Sequence, residues 1–166
     1  LSDVYSNLSI NTISSAYASL YVGGILGQTT STMALRNVVS DAKAITLDKI
    51  KKDDGYDNLD YVVIGGVVAS ASSLEVRNIL STVDIVASQD REMTIGGAIG
   101  NVGTISTANA IVLGNILLRR GMGVDKDSYF YLDEASRYNV GGFIGNVETS
   151  FAVLTDNSNQ ENLILS

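Results

Sequence analysis

The chain has 166 residues, of which 45% are hydrophobic and 17% charged, a composition typical of a folded domain. Its net charge of −7 disfavours nucleic acid or an anionic membrane surface as a partner, because both are bound by clustered Lys and Arg. Cysteine and histidine are both absent, which excludes disulfides, catalysis by thiol or imidazole, and zinc sites that need either side chain.

Four double glycines recur along the chain, each between apolar residues. They are Gly23-Gly24, Gly65-Gly66, Gly96-Gly97 and Gly141-Gly142. After each of the first three, an asparagine follows 13 or 14 residues beyond the first glycine and begins an apolar run. These asparagines are Asn37, Asn78 and Asn109. Self-similarity of this kind indicates a repeat protein.

The repeats lie near residues 21–45, 61–87, 93–118 and 138–155. Two polar, charged insertions, 46–60 and 119–137, separate them, and a solenoid tolerates such insertions because each coil contacts only its neighbours. In the fourth repeat Leu154 takes the place of the asparagine, so this repeat is either degraded or a cap. The sequence thus predicts one solenoid domain over residues 1–166. Because the chain does not begin with Met, we expect it to be a fragment of a larger chain.

A second polar position follows each asparagine after six residues and is flanked by apolar residues. It holds Lys43, Asp84 and Asn115 in successive repeats. We interpret these residues as a column that faces solvent, and Asp84 as structural.

The apolar runs are short, rich in Val and Ile, and bounded by Asn, Ser and Gly, which favours buried strands. Residues 31–45 also fit a helical period, but the equivalent segments contain more β-branched residues and argue against a helix. Glycine pairs allow stacked backbones to approach closely and adopt φ values that other residues resist. We therefore predict an all-β fold, a parallel β-solenoid of about four degenerate repeats. The alternative is a β-propeller, although 31-residue units are short for its blades.

Three motifs resemble the GLUG repeat, a Gly-Gly-apolar-apolar-Gly pattern followed by Gly-Thr-Ile and an asparagine. They are VGGILG at 22–27, IGGAIGNVGTIS at 95–106 and VGGFIGNVETS at 140–150. The second repeat departs from the pattern with Ala69, and the first two lack Gly-Thr-Ile. The resemblance implies a β-solenoid segment of a bacterial cell-surface or secreted protein, as in adhesins and the N-terminal regions of IgA1-type metallopeptidases. It implies no catalytic residues.

An acidic cluster in the first insertion is a candidate metal site. It consists of Asp53, Asp54, Asp57 and Asp60. Carboxylates at short spacing are ligands that Ca²⁺ prefers. The competing interpretation is a solvated acidic loop, because the spacing and terminal Glu of an EF-hand loop are missing. No other cofactor is expected.

Aromatic residues beside carboxylates in the second insertion form a candidate ligand loop. They are Tyr129, Phe130 and Tyr131, with Asp133 close by. Such a group can hold a sugar or an extended peptide. The competing interpretation is that the rings pack on the side of the solenoid and anchor the insertion.

The sequence favours a non-catalytic structural and interaction module, a spacer or an adhesive scaffold, and the resemblance implies a location outside the cell or on a bacterial surface. Its expected partners are other domains of the parent chain and a host or matrix protein or glycan. No run reaches the roughly 18 apolar residues of a membrane helix, so no membrane insertion is expected. The alternative is a carbohydrate-binding or carbohydrate-active β-helix that acts on a polysaccharide.

Overall fold

A computed structural model describes residues 1–14, 19–49, 61–88, 92–119 and 137–153. Within these ranges the regular secondary structure consists of β-strands. The strands are β1 (Ser2–Ser6), β2 (Ile10–Ser14), β3 (Leu20–Gly23), β4 (Leu26–Ser40), β5 (Ala44–Lys49), β6 (Val62–Gly65), β7 (Val68–Ser81), β8 (Asp84–Ser88), β9 (Glu92–Gly96), β10 (Ile99–Val112), β11 (Ile116–Arg119), β12 (Arg137–Gly141) and β13 (Ile144–Val153).

The strands form three parallel sheets. Sheet A has the order β1-β4-β7-β10-β13, sheet B the order β11-β8-β5-β2, and sheet C the order β12-β9-β6-β3. Each coil runs through C, then A, then B, and pairs in parallel with the next coil. The predicted parallel β-solenoid is therefore confirmed. The helix considered for residues 31–45 is wrong, as is the propeller, an antiparallel architecture.

Three complete coils are described, flanked by two partial ones. Coil 1 comprises β1 and β2, coil 2 comprises β3 to β5, coil 3 comprises β6 to β8, coil 4 comprises β9 to β11, and coil 5 comprises β12 and β13. Coil 1 was not expected, because no double glycine precedes it to mark a repeat.

Two hydrophobic clusters fill the coils. The first contains Leu35, Leu74 and Ile99, and its buried members all belong to sheet A or to the residue before its strands, so sheet A curves around them. The second contains Ile45, Ile64 and other residues of sheets B and C, and it lies between those two sheets. Because both clusters continue from coil to coil, each coil buries apolar surface only by stacking on its neighbours.

The double glycines stack in register at the corner between sheets C and A. A Cβ on Gly66 would collide with the carbonyl oxygen of Gly97 in the next coil and with Ser81 Oγ. A Cβ on Gly65 would collide with the carbonyl oxygen of Val68 within its own turn. No described glycine has a φ in the left-handed region, so the expected role of φ is wrong. Close approach of the backbones is the reason for glycine here.

Left-handed backbone occurs instead at a second corner, in the middle of sheet A. The φ angles are 55° at Asp3, 52° at Asn37, 56° at Asn78 and 55° at Asn109. Asn and Asp tolerate this conformation better than other residues with a Cβ. These four residues form what we name the amide ladder.

Hydrogen bonds connect the amide ladder from coil to coil. The Nδ2 of Asn37 donates to Asp3 Oδ1 at 2.8 Å, that of Asn78 to Asn37 Oδ1 at 2.8 Å, and that of Asn109 to Asn78 Oδ1 at 3.0 Å. Because the Asp3 carboxylate only accepts, it fixes the direction in which every amide above it donates.

Three buried hydroxyl groups of sheet A differ in whether they form a hydrogen bond. Ser81 Oγ donates to the carbonyl oxygen of Gly97 at 2.7 Å, and thereby ties the end of sheet A to the turn of the next coil. In contrast, the hydroxyls of Ser40 and Thr107 are buried without a hydrogen-bond partner in the described structure. A buried, unpaired hydroxyl costs stability.

Replacement of Thr107 by valine is expected to stabilise the protein by about 1 kcal/mol, because it removes an unpaired hydroxyl and keeps the side-chain shape. Thr107 stacks between Val76 and Val153, so the column already accepts valine. Urea denaturation measures the change in the free energy of unfolding.

In the same assay Ser81→Ala should destabilise the protein by about 1 kcal/mol, because the carbonyl of Gly97 loses its hydrogen-bond donor. Equal effects of the two substitutions would contradict this account.

Candidate functional site

Variation in the length of the coils is concentrated at one edge of the solenoid. The chain passes from sheet C to sheet A through a short connection in every coil, at 24–25, 66–67, 97–98 and 142–143. It passes from sheet B to sheet C through connections of very different lengths, at 15–19, 50–61, 89–91 and 120–136. We name the border between sheets B and C the loop edge. Both sequence insertions leave the solenoid there.

The short connection of coil 3 spans the same gap as the longest connection. Arg119 pairs with Ser88 at the end of sheet B, and Arg137 pairs with Glu92 at the start of sheet C. Three residues, 89–91, close that gap in coil 3, whereas residues 120–136 close it in coil 4. The additional length is therefore not needed to complete the coil and is free to serve another purpose.

Side chains on the outer face of sheet C hold one end of the first insertion. Tyr61 follows that insertion, and its ring meets Tyr21 edge to face, with centroids 6.5 Å apart and planes at 71°. Its hydroxyl lies 3.0 Å from the Oγ1 of Thr94, which is buried, and Asn139 Nδ2 donates to the same oxygen at 3.5 Å. Tyr61 thus anchors the insertion across two neighbouring coils.

The outer face of sheet A carries polar side chains that are paired with one another. Glu75 Oε1 lies 3.0 Å from Arg77 Nε and 3.5 Å from Arg36 Nη2 of the preceding coil. Their side chains are 39–57% exposed, and ion pairs at such positions contribute little to stability. These three charged side chains therefore partner one another across two neighbouring coils.

A further amide and carboxylate contact lies where sheet B begins. Asp84 Oδ1 accepts hydrogen bonds from the backbone N of Asn115 at 2.8 Å and from its Nδ2 at 3.0 Å. Lys43 does not share this column, because the register pairs Asp84 with Ala44. From Ser40 to Ala44 the chain takes four steps, one more than from Ser81 to Asp84, the residues with which these two pair, so the expected position of Lys43 is wrong.

These hydrogen bonds make stability depend on pH. Backbone donation by Asn115, followed by its side-chain donation, holds the pKa of Asp84 below its ordinary value. A carboxyl whose pKa is lower in the folded state stabilises the fold above its unfolded pKa, about 3.9, and loses this contribution as pH falls through the folded value. Urea midpoints at pH 6 and pH 3 should therefore differ less for Asp84→Asn than for the unsubstituted chain. If the urea midpoints of both proteins changed equally between the two pH values, Asp84 would not contribute to the pH dependence of stability.

The candidate ligands of both insertions lie outside the described residues. They are Asp53, Asp54, Asp57, Asp60, Tyr129, Phe130, Tyr131 and Asp133. Within the ranges that the structure describes, no group of three or more acidic side chains is placed to hold a metal ion. The calcium site and the ligand loop both remain predictions.

Asp3 and Ser6 belong to a repeat that the double glycines do not reveal. Asp3 to Ser6 reads Asp-Val-Tyr-Ser and stacks on Asn37 to Ser40, which reads Asn-Val-Val-Ser. The pattern of an Asn or Asp, two apolar residues and a serine was therefore visible. It was missed because the alignment was anchored on glycines.

Comparison of the chain with protein-family models, curated proteins and solved structures finds no match. In the described ranges, no helix has the length and apolar character needed to cross a membrane.

The loop edge, with its constant strands and variable connections, is the candidate functional site of this chain.

Proposed function

We propose that the chain is a non-catalytic structural and interaction module of a bacterial cell-surface or secreted protein. In this proposal the stacked coils are a rigid scaffold, and the long connections at the loop edge contact a host or matrix protein or a glycan. The observation that carries the proposal is that large differences in connection length occur at this one edge. In repeat proteins, insertions on one face often form the binding surface.

Two further observations support a scaffold. Successive coils rise by about 4.8 Å, the spacing between hydrogen-bonded strands, so loops from neighbouring coils emerge close together. The backbone contacts at the glycine corner and the amide ladder both restrict sliding of one coil past another. A surface of fixed geometry lowers the entropy cost of binding.

The resemblance to GLUG repeats is part of the proposal and supports the extracellular location. The net charge of −7 fits a partner other than nucleic acid. The aromatic and acidic residues of the second insertion make residues 120–136 the connection that we propose to contact the ligand.

A loop exchange tests this function. Residues 120–136 are replaced by the three residues 89–91, which close the same gap in coil 3. The exchanged protein and the unsubstituted chain are then screened on glycan and matrix-protein arrays, with and without calcium. We expect specific binding by the unsubstituted chain and at least a tenfold loss after the exchange.

A matched exchange controls for the loss of any long connection. Replacing residues 49–60 with residues 89–91 should leave binding intact if the ligand contacts the second insertion only. Circular dichroism and thermal melting establish that both exchanged proteins fold. Binding that survives the exchange of 120–136 would contradict the proposed site, and absence of binding under all conditions would contradict the recognition function.

A further inference from the structure

The outer face of sheet A changes character at the amide ladder. In coils 3 and 4 the outward residues before the ladder are small or polar, namely Ser73, Glu75, Arg77, Thr104, Ser106 and Ala108. Beyond the ladder, the outward position holds Val39, Leu80 and Ile111 in coils 2, 3 and 4. In these coils, sheet A therefore turns large apolar side chains outward beyond the ladder and not before it.

This apolar outer surface continues into sheet B. In coil 3 every second residue from Ile79 to Ala87 is buried and the residues between are partly exposed, so β7 and β8 turn the same side to solvent. In coil 4 the apolar residues on that side are Ile111, Leu113 and Leu117, which are 47%, 64% and 47% exposed. We name the surface formed by the outward residues of 39–46, 80–86 and 111–117 the AB face. Exposed apolar patches of this kind mark interaction sites.

The outward residues of the AB face follow nearly the same order in both directions. Read from sheet A to sheet B, they are Val39, Asp41, Lys43 and Thr46 in coil 2, Leu80, Thr82, Asp84 and Val86 in coil 3, and Ile111, Leu113, Asn115 and Leu117 in coil 4. The outer positions of each row are apolar or threonine, and polar residues are concentrated in the middle. An isologous interface needs a self-complementary surface of this kind, because the same patch of both copies forms it.

A two-fold axis parallel to the solenoid, through the middle of the AB face, brings equal coils of two copies together. In coil 4 it places Ile111 against Leu117 of the second copy. In coil 3 it places Leu80 against Val86 of the second copy. Apolar columns then meet apolar columns along the whole face, and the two solenoids lie side by side and point the same way.

The charged residues of coil 2 distinguish this axis from the alternative. The axis parallel to the solenoid places Asp41 beside Lys43 of the second copy, so opposite charges meet twice. An axis along the strands would place coil 2 against coil 4 and Asp41 against Leu113. Within its own chain Asp41 accepts hydrogen bonds from the neutral hydroxyls of Thr82 and Tyr5, which leave its charge in place. Charge complementarity therefore favours the axis parallel to the solenoid.

The size of the AB face suits a weak dimer. Coil 1 extends the face with Tyr5, which pairs with Val39 and is 62% exposed. The face spans about 26 Å along the strands and about 19 Å across coils 1 to 4, on the order of 500 Å². Standard interfaces bury about 800 Å² on each partner, so we expect reversible association at high protein concentration. Repulsion between two chains of charge −7 is screened beyond about 8 Å at physiological salt.

We propose that two copies of the chain associate through the AB face about a two-fold axis parallel to the solenoid. Leu80, Ile111 and Leu117 lose their exposure to water in the dimer, and Asp41 pairs with Lys43 of the second copy. The loop edge lies at the far end of sheet B and stays uncovered in both copies. The dimer therefore does not depend on what the loop edge binds.

Sedimentation equilibrium of the full chain tests the dimer and its location. We expect a monomer–dimer equilibrium between about 10 μM and 1 mM protein, and Ile111→Asp should raise its Kd at least about tenfold by placing a charge in the apolar part of the interface. Ser106→Asp, the matched control, adds the same charge to the same strand before the amide ladder and should change the Kd by less than about twofold. Thermal melting establishes that both variants fold.

The other outcomes of this experiment overturn the proposal. A chain that stays monomeric over the whole range has no such dimer. Association that Ile111→Asp leaves unchanged uses another surface, such as strand edges at the end of the solenoid. Equal weakening by Ile111→Asp and Ser106→Asp would reflect net charge and not the AB face.

Charge reversal tests the axis. Asp41→Lys and Lys43→Asp each place like charges against one another across the interface, and each should raise the Kd by about fivefold or more. The double variant exchanges the two charges and restores opposite pairs, so its Kd should return to within about twofold of the unsubstituted value. If the double variant dimerised no better than the single variants, the proposed axis would be wrong.

Discussion

Replacement of Gly66 by alanine is expected to destabilise the protein by about 3 kcal/mol or more. A Cβ at this position would overlap the carbonyl oxygen of Gly97 and lie 3.1 Å from its carbonyl carbon. Both atoms belong to the backbone of the next coil, so no rotamer change relieves the overlap. The coils would have to separate at this corner, and the parallel hydrogen bonds beside it would weaken.

Gly142 offers a matched control for this substitution. It occupies the same place in coil 5 as Gly66 in coil 3, but a Cβ there meets no atom of the described residues within 4 Å. Urea denaturation of Gly66→Ala and Gly142→Ala should therefore give a large loss for the first and a change within about 0.5 kcal/mol for the second. Similar losses for both would show that the requirement for glycine comes from the turn and not from the coil stacked above it.

Replacement of Asn78 by alanine is expected to destabilise the protein by about 2–3 kcal/mol. Two effects contribute. Alanine at a φ of 56° costs about 1–2 kcal/mol, because its Cβ crowds the following carbonyl oxygen. The substitution also removes hydrogen bonds to Asn37 at 2.8 Å and Asn109 at 3.0 Å, and each contributes up to about 1 kcal/mol at this exposed position.

Asn78→Gly separates these two effects. Glycine adopts the left-handed conformation without a steric cost, so this variant loses the hydrogen bonds alone and should be destabilised by about 1 kcal/mol. Equilibrium unfolding of both variants in urea gives the two contributions by difference. If glycine were as destabilising as alanine, the backbone conformation at Asn78 would not be the reason for asparagine.

The amide ladder also shows why part of the fold could be predicted and part could not. Asn37, Asn78 and Asn109 are visible in the sequence as a recurring residue, and the structure stacks them. Their left-handed backbone could not be predicted, because the residues around them have the composition of an ordinary strand. The sequence instead directed attention to the glycines, whose usual conformational freedom is not used here.

The loop edge illustrates a different limit. Alignment of the repeats places residues 46–60 and 119–137 between successive coils, which requires only that apolar runs and glycines be recognised. It does not show that Ser88 and Glu92 hold the positions of Arg119 and Arg137, because that depends on the pairing of sheets B and C in three dimensions. The interchangeability of the two connections follows only from the structure.

Nuclear Overhauser contacts between backbone protons test the central claim, that successive coils stack as parallel strands in register. We predict contacts of β7 with β4 and β10 that advance in the same direction, joining Leu74 to Met33 and Ile105, and Ile79 to Val38 and Ala110. Contacts that advance in opposite directions, as between antiparallel strands, would contradict the solenoid and the loop edge with it.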